Sequence, residues 1–286
     1  MLRFTKLFAG ILFLLIVSAG CKKGEAVIVL EPLAVAEYQN VAYGSNLRHV
    51  LDMYLPAARD ANTPVVLLLH GGSWYEGDKG SLTELAKHFR DKGYAAATMN
   101  YRLTNTAENN IHPAQVNDIG KAIEFISSKS AEWKISADKF ALQGASAGAH
   151  LSLLYTYKFN ANNKVKAVIS MAGPTDLSAD QSASPAQIQV LSWFLGTSIQ
   201  ADPALYADAS PLTHVSVKAK PTLIFHGKLD IVVPYQQAEL LKNKLDQYGI
   251  ANKLVLYGDT GHELLNLSNK DQFLSDCENW LKLYLK

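Results

Sequence analysis

The sequence predicts one α/β domain built on a doubly wound, mostly parallel sheet, and two observations carry that expectation. Short apolar runs alternate with helix-period stripes from residue 37 onward, the pattern of strand–helix–strand units. Runs such as Val65–Leu69 are apolar at every position, as a strand covered by helices on both faces must be.

In chain order, Glu37–Tyr43 and Arg48–Leu55 flank Gly44-Ser45-Asn46 and predict an antiparallel hairpin at one sheet edge. Val65–Leu69 follows as a buried strand. Leu82, Leu85, Ala86 and Phe89 then recur at helical spacing and stop at Gly93. Ala95–Met99 is the next strand, and Val116, Ile119, Ile123 and Ile126 mark the next helix. The alternation continues through Lys139–Gln143, a small-residue helix after Ser146, Val165–Met171, Pro221–Phe225, a helix bearing Ala238, Leu241 and Leu245, and Lys253–Tyr257. The last helix carries Phe273, Cys277, Trp280, Leu281 and Tyr284 on one stripe, which makes Cys277 a packed core residue. Residues 173–215 break the rhythm. They hold no clean strand, and Trp193, Phe194 and Leu195 stand among polar residues, so the stretch reads as an inserted cap.

Composition bounds the function. The chain has 286 residues, 48% hydrophobic and 19% charged, which suits a packed globular domain rather than a disordered one. Its 27 basic and 26 acidic residues give a net charge of +1. Nucleic acid demands a concentrated basic surface, so nucleic acid is not an expected partner. Two cysteines exclude a disulfide scaffold and a cysteine-rich zinc site.

The N-terminus reads as an export signal. Arg3 and Lys6 precede the apolar run Leu7–Val17, which is too short to span a bilayer as a stable helix. Ser18-Ala19-Gly20-Cys21 follows and resembles the lipobox of bacterial lipoproteins, with Ser18 where a leucine is usual. On this reading residues 1–20 are removed, Cys21 carries lipid, residues 21–36 are a tether and residues 37–286 form the catalytic domain. Loss of Arg3 and Lys6 would leave 25 basic against 26 acidic residues. The alternative is an ordinary secretory cut near Ala19. Either way the protein leaves the cytoplasm, and the expected address is the cell envelope, held by lipid alone.

Three segments carry chemistry. Gly144-Ala145-Ser146-Ala147-Gly148 is a G-x-S-x-G motif between the strand Phe140–Gln143 and a helical segment, where glycines permit the tight turn that exposes a nucleophilic serine. The helix start below it supplies backbone N–H groups for developing negative charge. His70-Gly71-Gly72-Ser73-Trp74 lies past an earlier strand, and Gly71, Gly72 and Ala147 are the expected oxyanion donors. Asp230 follows the strand Pro221–Phe225, and His262 follows Lys253–Tyr257. Ser146, Asp230 and His262 therefore gather at one sheet end as nucleophile, acid and base. Asp176, after Val165–Met171, is the alternative acid. His150 and His226 are expected to pack rather than react. The spacing of His112 and Asp118 does not put two ligands on one helix face, so no metal site is expected. Trp74 is expected to wall the substrate pocket, and Arg102 and Asp118 are candidates to pair beneath it.

The order Ser, Asp, His resembles that of the α/β-hydrolase fold. The chain is similar to esterases and lipases of that superfamily. Its nearest likeness is to small carboxylesterases that include bifunctional feruloyl and acetyl xylan esterases and arylformamidase-like enzymes. The likeness rests on Leu51-Asp52-Met53-Tyr54-Leu55-Pro56, the His-Gly-Gly-Ser-Trp loop, Asn100-Tyr101-Arg102-Leu103, Pro113 to Asp118, Gly144–Gly148, Asp230 to Pro234, and Gly261-His262. It implies a serine carboxylesterase that needs no cofactor and acts on a small ester or acylated carbohydrate. An amide hydrolase of formamidase or prolyl-peptidase type, and a non-catalytic binding protein on the same fold, remain as alternatives at this level.

Overall fold

The computed structural model describes residues 32–178, 184–264 and 268–285. Cys21 and the rest of the leader lie outside them. Eight strands form one sheet in the order β1-β2-β4-β3-β5-β6-β7-β8. β1 (Ala36–Ala42) and β2 (Val50–Leu55) are the expected edge hairpin, and β2 also runs antiparallel to β4 (Ala95–Met99). From β4 onward all pairings are parallel, through β3 (Val65–Leu69), β5 (Phe140–Ala145), β6 (Val165–Met171), β7 (Thr222–Gly227) and β8 (Asn252–Tyr257).

The continuous apolar runs now have their physical reason. In β3, Val65, Leu67 and Leu69 join one core cluster while Val66 and Leu68 join the other, because successive side chains leave a strand on opposite faces. The first face is covered by α2 (Ala114–Ser128), the short turn α3 (Ser130–Trp133), α4 (Ala147–Leu154) and α7 (Gln236–Gln247). The second is covered by α1 (Thr83–Asp91) and α8 (Lys270–Tyr284), with Phe89, Phe273, Cys277 and Leu281 buried against the sheet. Cys277 is packed as expected, and burial pushes its thiol pKa well up. Between β6 and β7 the chain holds no strand among its described residues. It forms α5 (Pro185–Leu195) and α6 (Pro203–Asp208) instead. A turn of π-helix at Tyr155–Phe159, which no sequence signal announces, ends α4.

The crossing of β5 into α4 sits mid-sheet, and the loops after β3, β6, β7 and β8 surround it.

Candidate active site

Ser146 occupies the step from β5 to α4, at φ 52° and ψ −120°. A non-glycine residue at positive φ is strained and persists only where its surroundings enforce it. Here both flanking glycines enforce it. A Cβ at Gly144 would collide with the Gly148 carbonyl, and one at Gly148 with the carbonyls of Leu69 and His70. Backbone hydrogen bonds complete the clamp: Ser146 N–H donates to Met171 O (2.8 Å), and His150 N–H donates to Ser146 O (3.0 Å). The first N–H groups of α4 lack intrahelical acceptors, so the positive helix end lies beside the serine.

Asp230 and His262 come from separate loops that a third glycine brings together. A Cβ at Gly227 would strike the carbonyls of Thr260 and Gly261, and Leu229 N–H donates across to Thr260 O at 3.0 Å. The result is a continuous relay. Ser146 Oγ donates to His262 Nε2 at 2.9 Å, and His262 Nδ1–H donates to Asp230 Oδ2 at 2.8 Å. The structure thus brings Ser146, Asp230 and His262 into contact.

The Asp230 carboxylate is buried, which by itself would raise its pKa. Hydrogen bonds from His226, from His262 and from the Val233 N–H outweigh burial and hold it well below the usual carboxylate range. Its Oδ1 accepts from the N–H groups of Val232 (2.9 Å) and Val233 (2.8 Å). Its Oδ2 also lies 3.2 Å from His226 Nε2, whose N–H is shared with Val233 O at 2.8 Å. His226 is packed, as its strand position implies, but it packs against Asp230. The i, i+4 spacing in His226-Gly227-Lys228-Leu229-Asp230 was the available signal.

Asp176 does not reach the histidine. Its Oδ1 accepts from Ser178 N–H (2.9 Å) and Oγ–H (2.6 Å), and its own N–H donates to Gln237 Oε1 at 2.8 Å. It lines instead a cavity of about 190 Å³ that opens onto Ser146. The other walls are mainly apolar: Trp74, Leu177, Val190, Leu191, Val233 and Pro234 among them. Sequence reasoning found Trp74 and missed the aliphatic wall, which comes from α5 and from the turn after Asp230.

Trp74 both packs and lines the cavity. Its ring stacks on Phe194 (centroids 4.4 Å apart, 14°), and its Nε1–H donates to His150 Nδ1 at 3.2 Å. His150 in turn donates from Nε2 to Ala209 O at 2.9 Å. Burial pushes the His150 pKa down to about 3, so it is a neutral spacer that locks the tryptophan.

Gly71 sits against the serine: a Cβ there would lie 3.4 Å from Ser146 Cβ. Gly72 holds φ +107°, and Ser73 and Trp74 continue the turn at positive φ. Ser73, unlike the two glycines, lines the cavity beside Ala147. The loop is braced from below. His70 stacks on Tyr101 at 4.3 Å, donates from Nδ1 to Gly71 O at 2.6 Å, and receives Arg48 at Nε2. Arg102 and Asp118 do pair, through Nε (2.8 Å) and a terminal nitrogen (2.7 Å), and His49 Nε2 adds a contact to Asp118 at 2.9 Å.

Comparisons with known proteins show the family and the fold. Residues 51–245 match the BD-FAE family. The Mycobacterium tuberculosis protein named "Probable carboxylic ester hydrolase LipM" is 30% identical over 68% of this chain and 47% of its own length. An Arabidopsis thaliana protein named as a probable isoprenylcysteine alpha-carbonyl methylesterase is 26% identical over 83% of this chain and 52% of its own. The chain therefore spans about half the length of the curated relatives it matches. Among solved structures, a truncated carbohydrate esterase from gut microbiota superposes with a TM-score of 0.74 at 23% identity, covering 85% of this chain and 96% of that one. An acetyl ester-xyloside bifunctional hydrolase from Caldicellulosiruptor lactoaceticus gives 0.67 at 22%, over 82% and 88%. Identities this low carry the fold and nothing finer.

Proposed function

The chain belongs to the BD-FAE family, with the α/β-hydrolase fold, and from that premise we propose that it is a serine-dependent carboxylic-ester hydrolase. The observation that carries the reading is the unbroken relay from Ser146 through His262 to Asp230. Ser146 Oγ attacks the acyl carbonyl while His262 Nε2 takes its proton, and the fourfold-bonded Asp230 carboxylate fixes the imidazole and balances its charge. Backbone N–H groups of Gly71 or Gly72 and of Ala147 receive the oxyanion, each such donor being worth about 10²–10³ in rate. His262 then returns the proton to the leaving alcohol, and water repeats the sequence on the acyl-enzyme. No cofactor enters these steps.

The acyl group enters the apolar cavity beside Trp74. At about 190 Å³ it lies below the range typical of drug-sized ligands, which favours acetyl over the bulkier feruloyl group. Removal of such groups from polysaccharide is the physiological reaction we infer, with Cys21 as the lipid anchor at the envelope and residues 21–36 as tether. Export to that site suits a substrate too large to enter the cell.

Turnover of p-nitrophenyl acetate by purified protein tests the chemistry, together with mass-shift labelling by a fluorophosphonate. Ser146→Ala should lose on the order of 10⁵–10⁶-fold in kcat and should not be labelled. Retained turnover or labelling would remove Ser146 from its role. The mature N-terminus tests the address: an acylated Cys21 supports the anchor, and a free N-terminus near Ala19 to Lys22 overturns it.

A further inference from the structure

The turn that carries Asp230 is held only weakly by packing. Leu229, Ile231 and Val232 are exposed, so apolar burial does little to fix the two peptide groups on which the carboxylate depends. Those groups are Ile231–Val232 and Val232–Val233, whose N–H ends donate to Asp230 Oδ1 at 2.9 and 2.8 Å.

A side chain from α5 meets the opposite ends of the same two groups. Gln187 Nε2 donates to Val232 O at 2.6 Å and lies 3.5 Å from Ile231 O. In a planar trans peptide the C=O and N–H bonds point in opposite directions. A donor that draws both carbonyls to one side of the turn therefore aims both N–H groups to the other side, at the carboxylate. Hydrogen bonds in series also polarise one another, so a bonded carbonyl makes the N–H of its own peptide group a stronger donor. The chain of contacts from Gln187 through the Val232–Val233 peptide, Asp230 and His262 to Ser146 is continuous.

The other end of the Gln187 amide is fixed as well. Ser184 N–H donates to Gln187 Oε1, Gln187 N–H donates to Ser184 Oγ at 3.3 Å, and Pro185 opens the helix between them. With the amide oxygen committed to an N–H, only the NH₂ is left to face the carbonyls. Capping α5 asks for the oxygen alone, so the nitrogen performs a separate task. Gln187 also lines the cavity at Ser146, with Val190 and Leu191 of its own helix and Val232 and Val233 of the turn.

We propose that Gln187 is a positioning residue for the triad. From α5 it aims the two N–H groups that hold Asp230, and so couples the seating of the helix over the cavity to the orientation of His262. The assignment rests on the esterase reading above and extends it to a residue outside the triad.

The test measures kcat and KM on p-nitrophenyl acetate for the full chain as wild type, Gln187→Glu and Gln187→Met. Gln187→Glu keeps the capping oxygen but turns a second oxygen toward the carbonyls, whereas Gln187→Met keeps the length and loses both roles. kcat should fall about five- to tenfold in Gln187→Met and at least as far in Gln187→Glu, with KM within about twofold of wild type. The rate of fluorophosphonate labelling then closes a double-mutant cycle with Asp230→Ala. Without the carboxylate the two N–H groups have nothing to hold. Gln187→Met should therefore slow labelling by about five- to tenfold in the wild-type background and by less than about twofold in Asp230→Ala. Full kcat in Gln187→Glu would reduce the residue to a helix cap, and an equal loss in both backgrounds would mean that its effect bypasses Asp230; either result overturns the proposal. A wild type that neither turns over p-nitrophenyl acetate nor takes the label overturns the esterase reading instead.

Discussion

Ser146 and the pair Asp230–His262 are held in place by a different balance of forces. Around Ser146 the fit is backbone against backbone: glycines at 144 and 148 let β5, α4 and the end of β3 approach so closely that a methyl group has no room. Asp230 and His262 stand two and three strands away toward the sheet edge, in turns where Leu229, Ile231 and Val232 face solvent, Ile231 at 90% exposure. There a close contact at Gly227 also joins the two turns, but the side chains are oriented by hydrogen bonds converging on one carboxylate. Steric clamping fixes a strained atom without tuning its charge. A hydrogen-bonded carboxylate fixes both position and ionisation, which is what the partner of a proton-accepting imidazole needs.

Substitutions at the carboxylate should give the largest effect that separates the two regions. Asp230→Asn should lower kcat on p-nitrophenyl acetate by about 10⁴, since the amide favours the wrong imidazole tautomer. Asp176→Asn should cost less than tenfold because that carboxylate only lines the cavity. A reversed ranking would shift the acid to the loop after β6.

Steric and hydrogen-bonded control should next separate in thermal melts of two glycine variants. Gly148→Ala forces a Cβ into two carbonyl groups and should cost about 4 kcal/mol or more, lowering Tm by on the order of 10 °C or preventing soluble expression. In Gly261→Ala the new Cβ would meet Leu229 O at an ordinary 3.4 Å, so Tm should move by less than about 3 °C. Equal losses would deny the contrast.

Acid should weaken the Ser146 side first. Burial pushes His70 and His112 down to about 4 and His150 to about 3, so they stay neutral in the folded chain where an unfolded chain would charge them below about 6.5. Their contribution to stability is complete above that pH and is lost as pH falls toward the folded values. The depressed Asp230 works in a lower window, being lost only below its unfolded value near 3.9. Melts between pH 7 and 4.5 should therefore report the histidines, with Tm falling by about 5–10 °C. A flat or rising profile would mean that these rings ionise in place.

The smallest expected effect is at His226. Removing its N–H in His226→Leu should cost about tenfold in kcat with KM little changed, one hydrogen bond to a charged group being worth about 1.5 kcal/mol or more. His226→Gln, which keeps a donor, should recover most of it. An equal loss in both variants would make the histidine a packing residue only.

Much of this was legible in the residues. Apolar runs at Val65–Leu69 and Val165–Met171, and stripes at Val116–Ile126, located strands and helices because burial on two faces or one leaves a direct periodic mark. Ser146, Asp230 and His262 were legible because each follows a strand whose carboxyl end must lie on one side of a parallel sheet. The wall of the acyl cavity was not. Val190, Leu191, Val232 and Val233 are ordinary aliphatic residues, and nothing local distinguishes a core leucine from one that lines a pocket.

The sequence by itself therefore determined the alternation of strands and helices, the candidate groups at the strand ends and the glycines that the turn at Ser146 requires, since these depend on local pattern and backbone sterics. Only the tertiary structure decided that His226 touches Asp230, that Asp176 faces the cavity, and that Gln187 and Val232, 45 residues apart in number, share a hydrogen bond. Those facts depend on distances between segments far apart in the chain. Such distances are set by how whole elements pack, and no short stretch of residues encodes them.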